Sequence, residues 1–267
     1  MKKTAVIFAV LIFVLAGSAA YAGQFGPPEP AAKEGKVALG IGYFHSQTKI
    51  QPNDTTNFKE SKMTQNQAYL NMGYGLAKNW ETYLRVGIAD DKAAPGFETT
   101  DRSGIKSDFK DSYKPFGTIG IKGVFNVTDS FGIGPFFQAS LYSSYEDSAS
   151  GTVSTGSSET QTVKVKNPRE INLGIGLQGK IGETIIYGGP VAYWVKNKTE
   201  WAGKLGAGTV YAATGTDTYV LSTTYKEKNN IGGFAGIRIP LSKSLNLEVE
   251  GQLKSKFSFG GALSYSF

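Results

Sequence analysis

The last stretch of the chain, Lys256 to Phe267, alternates with a period of two. Phe257, Phe259, Gly261, Leu263, Tyr265 and Phe267 share one parity, and Ser258, Gly260, Ala262, Ser264 and Ser266 share the other. Such alternation marks a strand whose two faces meet unlike surroundings. Here one face is apolar and aromatic, and the other is small and polar.

Nine further stretches repeat the pattern. They run over Val37 to His45, Gln67 to Leu76, Trp80 to Ala89, Tyr113 to Val127 and Phe131 to Tyr145. The rest are 170–178, Thr184 to Lys196, Ile231 to Leu241 and Leu245 to Leu253. The sixth is the clearest: Ile171, Leu173, Ile175 and Leu177 alternate with Asn172, Gly174, Gly176 and Gln178. In the seventh, Ile185, Tyr187, Val191, Tyr193 and Val195 are assigned to the outer face. Connections alternate in length too. Lys78-Asn79, Thr128 to Ser130, Gly182-Glu183 and Ser242 to Ser244 are short. The linkers 50–62, 90–112, 146–168 and 197–217 are long and polar. Short turns at one end and long loops at the other are the pattern of a membrane barrel. Thr218 to Tyr225 keeps the parity of Ile231. It is expected to extend the eighth strand and to pair with a prolonged seventh strand or with Thr209 to Ala213.

Charge placement orients the faces. Glu81, Arg85, Lys122, Glu170, Arg238, Glu248 and Glu250 fall on the polar parity. An Arg or Lys facing lipid at mid-bilayer costs about 2–4 kcal/mol, and charges sealed in an apolar core cost more. Both penalties vanish if the apolar parity faces lipid and the polar parity a lumen. Glu81, Arg85, Lys122, Arg238, Glu248 and Glu250 lie at similar depth near the short turns. They are expected to form a salt-bridged lumen network or constriction. Trp80, Phe125, Phe131, Tyr265 and Phe267 near the short turns, and Tyr43, Tyr113, Tyr145 and Tyr193 near the long loops, are expected to form two aromatic girdles.

On the terminal alternation and Phe267, the chain resembles the outer-membrane β-barrel superfamily of Gram-negative bacteria. The last strand of that superfamily commonly ends in an aromatic residue read by the barrel-assembly machinery. The resemblance implies residence in the bacterial outer membrane, Phe267 as an assembly signal, and that machinery as a partner during biogenesis. The expected fold is all-β: a transmembrane antiparallel up-and-down barrel of ten strands over 37–267, with eight strands as the alternative. Residues 1–22 read as a cleaved signal peptide. Lys2 and Lys3 precede the apolar run Ala5 to Ala16, and Ala20-Tyr21-Ala22 is a cleavage signal. Residues 23–36, with Pro27, Pro28 and Pro30, read as an extended periplasmic leader.

The chain has 28 basic and 22 acidic residues. Without Lys2 and Lys3 the balance is 26 against 22, or +4. With no basic stripe or recognition module, no nucleic-acid partner is expected. Outer-membrane lipids and anionic lipopolysaccharide are the expected contacts, along with an extracellular partner at the long loops. The catalytic inventory is thin. His45 is the only histidine and there is no cysteine, so no metal site or cofactor is expected. His45-Ser46 with Asp90-Asp91 is a weak basis for an outer-membrane hydrolase or acyl-modifying enzyme. Wide aqueous lumens appear at roughly 16–18 strands. The expectation is therefore a non-enzymatic barrel with an occluded polar lumen, displaying surface loops for adhesion, surface interaction or envelope integrity. A narrow passive channel is the alternative.

Overall fold

The computed structural model describes residues 24–55, 59–94, 108–152, 158–205 and 218–267. Thirteen strands form one antiparallel sheet. They are β1 (Val37–Pro52), β2 (Ser61–Ala77), β3 (Trp80–Ala94), β4 (Phe109–Gly123), β5 (Phe125–Asn126), β6 (Phe131–Tyr142) and β7 (Tyr145–Thr152). They continue as β8 (Ser158–Ile181), β9 (Thr184–Leu205), β10 (Thr218–Glu227), β11 (Ile231–Pro240), β12 (Leu245–Leu253) and β13 (Phe257–Ser266). The sheet closes on itself through ten of them. Pairing runs from β9 through β11, β12, β13, β1, β2, β3, β4, β6 and β8, and a β8–β9 ladder completes the ring.

The outward face is an apolar band. Leu70 is 59 % exposed, Ile119 60 %, Leu141 67 % and Leu253 62 %. Alternate residues point the other way and are buried: Arg85, Lys122, Gln138, Asn172, Glu248 and Glu250 among them. From the short turns up to the level of Ile88, Tyr113, Leu141, Ile171, Trp194, Ile231 and Phe257, no outward position of the ring carries a charge. Leaving that much apolar surface in water has no compensating gain, and patches far smaller already mark interaction surfaces.

β9 corrects one expectation. Ile185, Tyr187, Val191, Tyr193 and Val195 face inward and are buried, while Ile186 and Trp194 face out. Both parities of this strand are apolar, so hydropathy cannot choose between them. The register does: Trp194 lies beside Ile171 and Ala192 beside Leu173, both outward. Inside, Ile185, Tyr187 and Val191 pack with Phe25, Phe136 and Phe234.

Parts of the long linkers are strand, among the described residues. β1, β2, β3, β4, β8 and β9 run past the apolar band, and β7 and β10 join them there. β10 bridges β9 to β1, pairing Lys226 with Lys196 and with Gln51. It pairs with the prolonged β9 as expected, but it is a separate strand from β11. The break at Lys228 to Asn230 reverses its parity, so Tyr225 faces inward while Ile231 faces out. Thr209 to Ala213 lies outside the described residues. Within this upper tier Ile50, Ala93, Phe109, Tyr145, Val165, Trp201 and Tyr225 form a buried cluster, with Met63 against it. With Tyr142 of β6 also packed against it, nine strands contribute to one apolar layer across the outer end of the ring. Tyr145, expected in the outer girdle, belongs to this layer instead.

Candidate functional site

Residues 24–32 run inside the ring, where the sequence suggested a leader outside it. Gln24, Phe25, Gly26, Pro27, Pro28 and Ala32 are buried. A chain segment threaded through a lumen must satisfy its own backbone donors there, because an unmade buried hydrogen bond costs about 1–3 kcal/mol. Two wall carboxylates do this. Glu250 on β12 accepts from the N–H groups of Gln24 at 3.0 Å, Phe25 at 3.2 Å and Gly26 at 2.9 Å. Glu81 on β3 accepts from Ala31 at 2.6 Å and Ala32 at 2.8 Å. Two arginines take the carbonyls. Arg85 Nη2 donates to the Gln24 oxygen and Arg238 Nη1 to the Glu29 oxygen, each at 3.1 Å. Gln178 on β8 clasps Glu29 twice, accepting its N–H at 2.7 Å and donating to its carboxylate at 3.1 Å.

The socket has two sides. β3, β4, β12 and Arg238 of β11 supply the charges, and β6, β9 and β11 supply Phe136, Tyr187, Val191 and Phe234. Phe25 enters the apolar side, its ring 4.6 Å from Phe136 and 5.2 Å from Phe234. Lys254 Nζ stands 5.6 Å over the same ring and donates to Asn172 at 3.0 Å. Gly26 makes the fit. Its φ is +71°, and a Cβ there would lie 3.1 Å from both Glu248 Oε2 and Lys122 Nζ. Gly176 leaves room for Pro28, whose ring a Cβ would meet at 2.7 Å.

All six expected lumen charges are brought to one level and buried. Their linkage differs from a network of ion pairs alone. Arg238 and Glu248 pair at 2.6 Å, and Lys122 lies 3.9 Å from Glu81. Glu81, Glu250 and Arg85 are committed to the inserted backbone. A cavity of about 40 Å³ remains among Asn71, Arg85, Lys122, Glu248 and Ser264, and one of about 30 Å³ lies higher, below the apolar layer. Each has room for only a few waters. Sequence reasoning missed Gln24 to Ala32 and Gln178. The available signal was the absence of charge from Gln24 to Pro28, next to a wall rich in unmatched donors and acceptors.

The remaining candidates are placed as follows. Phe125, Phe131, Tyr265 and Phe267 are exposed, with Trp80 edge-on to Phe125 at 6.0 Å. Tyr43 is partly exposed and donates to Asn66. Tyr193 is buried, and Trp194 takes its outward place. His45 Nδ1 is 2.8 Å from Asn66 Oδ1 and its Nε2 is 3.1 Å from Gln47 Nε2. Asn66 in turn donates to Asp90, which Lys92 pairs at 2.7 Å. Asp91 points the other way, into the upper lumen cavity. A bulge between Ala89 and Asp91 buries both carboxylates on opposite sides of the wall. The two aspartates therefore do not converge on His45. Asp91, above the apolar band, has its pKa pushed up to about 8 by burial and then by Asp90 and Asp111.

No family model and no curated protein matches the chain. Solved structures do, and the class they represent is the bacterial outer-membrane β-barrel. The outer membrane protease OmpT from Escherichia coli is similar at 11 % identity, over 93 % of this chain and 100 % of that one, with a TM-score of 0.48. The translocator domain of the autotransporter NalP from Neisseria meningitidis is similar at 12 % identity, over 87 % and 88 %, with a TM-score of 0.43. The Pseudomonas putida toluene transporter TodX is similar at 11 % identity, over 94 % and 98 %, with a TM-score of 0.37. The chain resembles this class without matching one member. One correction follows. A protease stands among these neighbours, so the expectation that the chain is not an enzyme is withdrawn.

Proposed function

We propose that the chain is a ten-stranded transmembrane barrel of the bacterial outer membrane, with its lumen stoppered by its own residues 24–32. Its upper tier carries the polar connections as a surface for contact outside the cell, in adhesion, surface interaction or envelope integrity. The observation that carries the stopper is the capture of five backbone N–H groups of the inserted segment by two wall carboxylates, three by Glu250 and two by Glu81. Charge-assisted bonds of this kind are worth about 1.5–3 kcal/mol each. The apolar layer of the upper tier closes the other end. The apolar, uncharged outer face supports the membrane placement.

Planar-bilayer recording tests the reading. The intact protein is expected to pass no steady current. The chain lacking residues 24–32, recovered in heat-modifiable form from an outer-membrane fraction, still has the upper layer and is expected to stay closed. It opens only when Tyr145→Ala and Trp201→Ala are added. Steady conductance of the intact protein would make it a passive channel and end the stoppered reading.

A further inference from the structure

Three cations stand side by side on the outer surface. Arg169 on β8 lies directly beside Lys196 on β9, and Lys196 lies directly beside Lys226 on β10. All three are exposed, and their strand neighbours Val195, Asn197, Tyr225 and Glu227 are buried, so the row faces outward. Adjacent strands set such side chains about 5 Å apart, and like charges placed directly opposite repel. On β8 and β9 the basic residues above the row are paired: Lys166 and Lys198 with Glu200, the latter at 2.9 Å, and Lys164 with Glu146 at 3.0 Å. Among the described residues, no carboxylate pairs with Arg169, Lys196 or Lys226.

The height of the row is what gives it meaning. Ile171 and Trp194, beside each other and outward, lie two residues below Arg169 and Lys196. That is about 7 Å along a strand. Trp194 is 45 % exposed and marks the top of the apolar band. Above the band the outward face turns polar at once. An exposed tryptophan at the top of the apolar band followed by a row of cations matches the environments of a lipid in order: acyl chain, interface, headgroup. The guanidinium of Arg169 offers two parallel donors to one phosphate, and the two ammonium groups are point charges for others. Along the strands, β9 carries Trp194 and Lys196 on one face, so one lipid would meet both.

We propose that Arg169, Lys196 and Lys226 form a binding site for the phosphate groups of a phosphorylated glycolipid of the outer leaflet, lipopolysaccharide. The inference rests on the membrane placement proposed above. The site reads phosphate above and acyl chain below, so a free phosphate ion satisfies only half of it.

The test uses the purified full chain in neutral detergent, titrated with bis-phosphorylated lipid A, with bound lipid counted by native mass spectrometry. The triple variant Arg169→Gln, Lys196→Gln, Lys226→Gln is compared with Lys78→Gln, Lys243→Gln, which removes exposed lysines at the opposite end of the sheet. At about a fivefold effect per cation, the triple variant is expected to bind on the order of a hundredfold more weakly. The Lys78 and Lys243 variant is expected to match the unaltered chain, and added salt to close the gap. Equal binding by both variants overturns the site, as does displacement by equimolar inorganic phosphate. Heat-modifiable migration of all three proteins from an outer-membrane fraction is scored separately. Its loss in the unaltered chain strikes the membrane placement, whereas its retention with equal lipid binding strikes only this site.

Discussion

Replacing Phe25 with alanine should unseat the inserted segment. The ring is 3 % exposed and fills a pocket of Phe136, Tyr187, Val191 and Phe234. Truncating a buried phenylalanine costs about 3–5 kcal/mol. The low end applies here, because the pocket abuts a polar lumen that water can enter. Because each 1.4 kcal/mol is tenfold, a loss of ~3 kcal/mol shifts the seated-to-unseated ratio by about a hundredfold. The chain has no cysteine, so Pro28→Cys supplies a single thiol at a buried position against Gly176. Its labelling by a membrane-impermeant maleimide tracks the unseated fraction when reseating is fast. Adding Phe25→Ala to Pro28→Cys should raise the labelling rate about a hundredfold while heat-modifiable migration stays intact. A rise of less than threefold would show that the hydrogen bonds alone hold the segment, and the two-sided socket would be wrong.

Gly26→Val should also unseat the segment, through a disfavoured φ of +71° and collision with Glu248 and Lys122; the same labelling assay reads it. Trp201→Ala, in the outer apolar layer, should lower the unfolding midpoint by an amount equivalent to about 3–5 kcal/mol, measured by the gel-shift temperature. Asp91 gives a pH signature. Its folded-state pKa is raised to about 8 from 3.8 by burial and two neighbouring carboxylates, so its neutral form is favoured in the fold. Stability from this group is complete below the unfolded value and falls as pH climbs towards 8. Asp91→Asn should therefore flatten the decline in unfolding midpoint between pH 5 and 8; an unchanged slope would refute the assignment.

The alternation of Ile171, Leu173, Ile175 and Leu177 against Asn172 and Gln178 was enough to orient β8. The same holds wherever one parity is apolar and the other carries Glu81, Arg85, Lys122 or Glu250. A one-residue slip would put those charges on the apolar outer face, so period and charge together admit a single arrangement. This much is local information, and the chain determines it unaided. β9 shows where it ends. Both of its faces are apolar, and only the register with β8 and the presence of Phe25 inside decide which one faces the lumen. The upper tier was hidden for a related reason: its core takes one or two side chains from each of nine strands, from Ile50 to Tyr225, and no single strand carries enough of it to read as buried. The inserted segment was the least legible of all. It is held mainly through its backbone N–H and carbonyl groups, which every residue possesses. Only the closed ring, bringing Glu81 and Glu250 into one lumen, makes them specific.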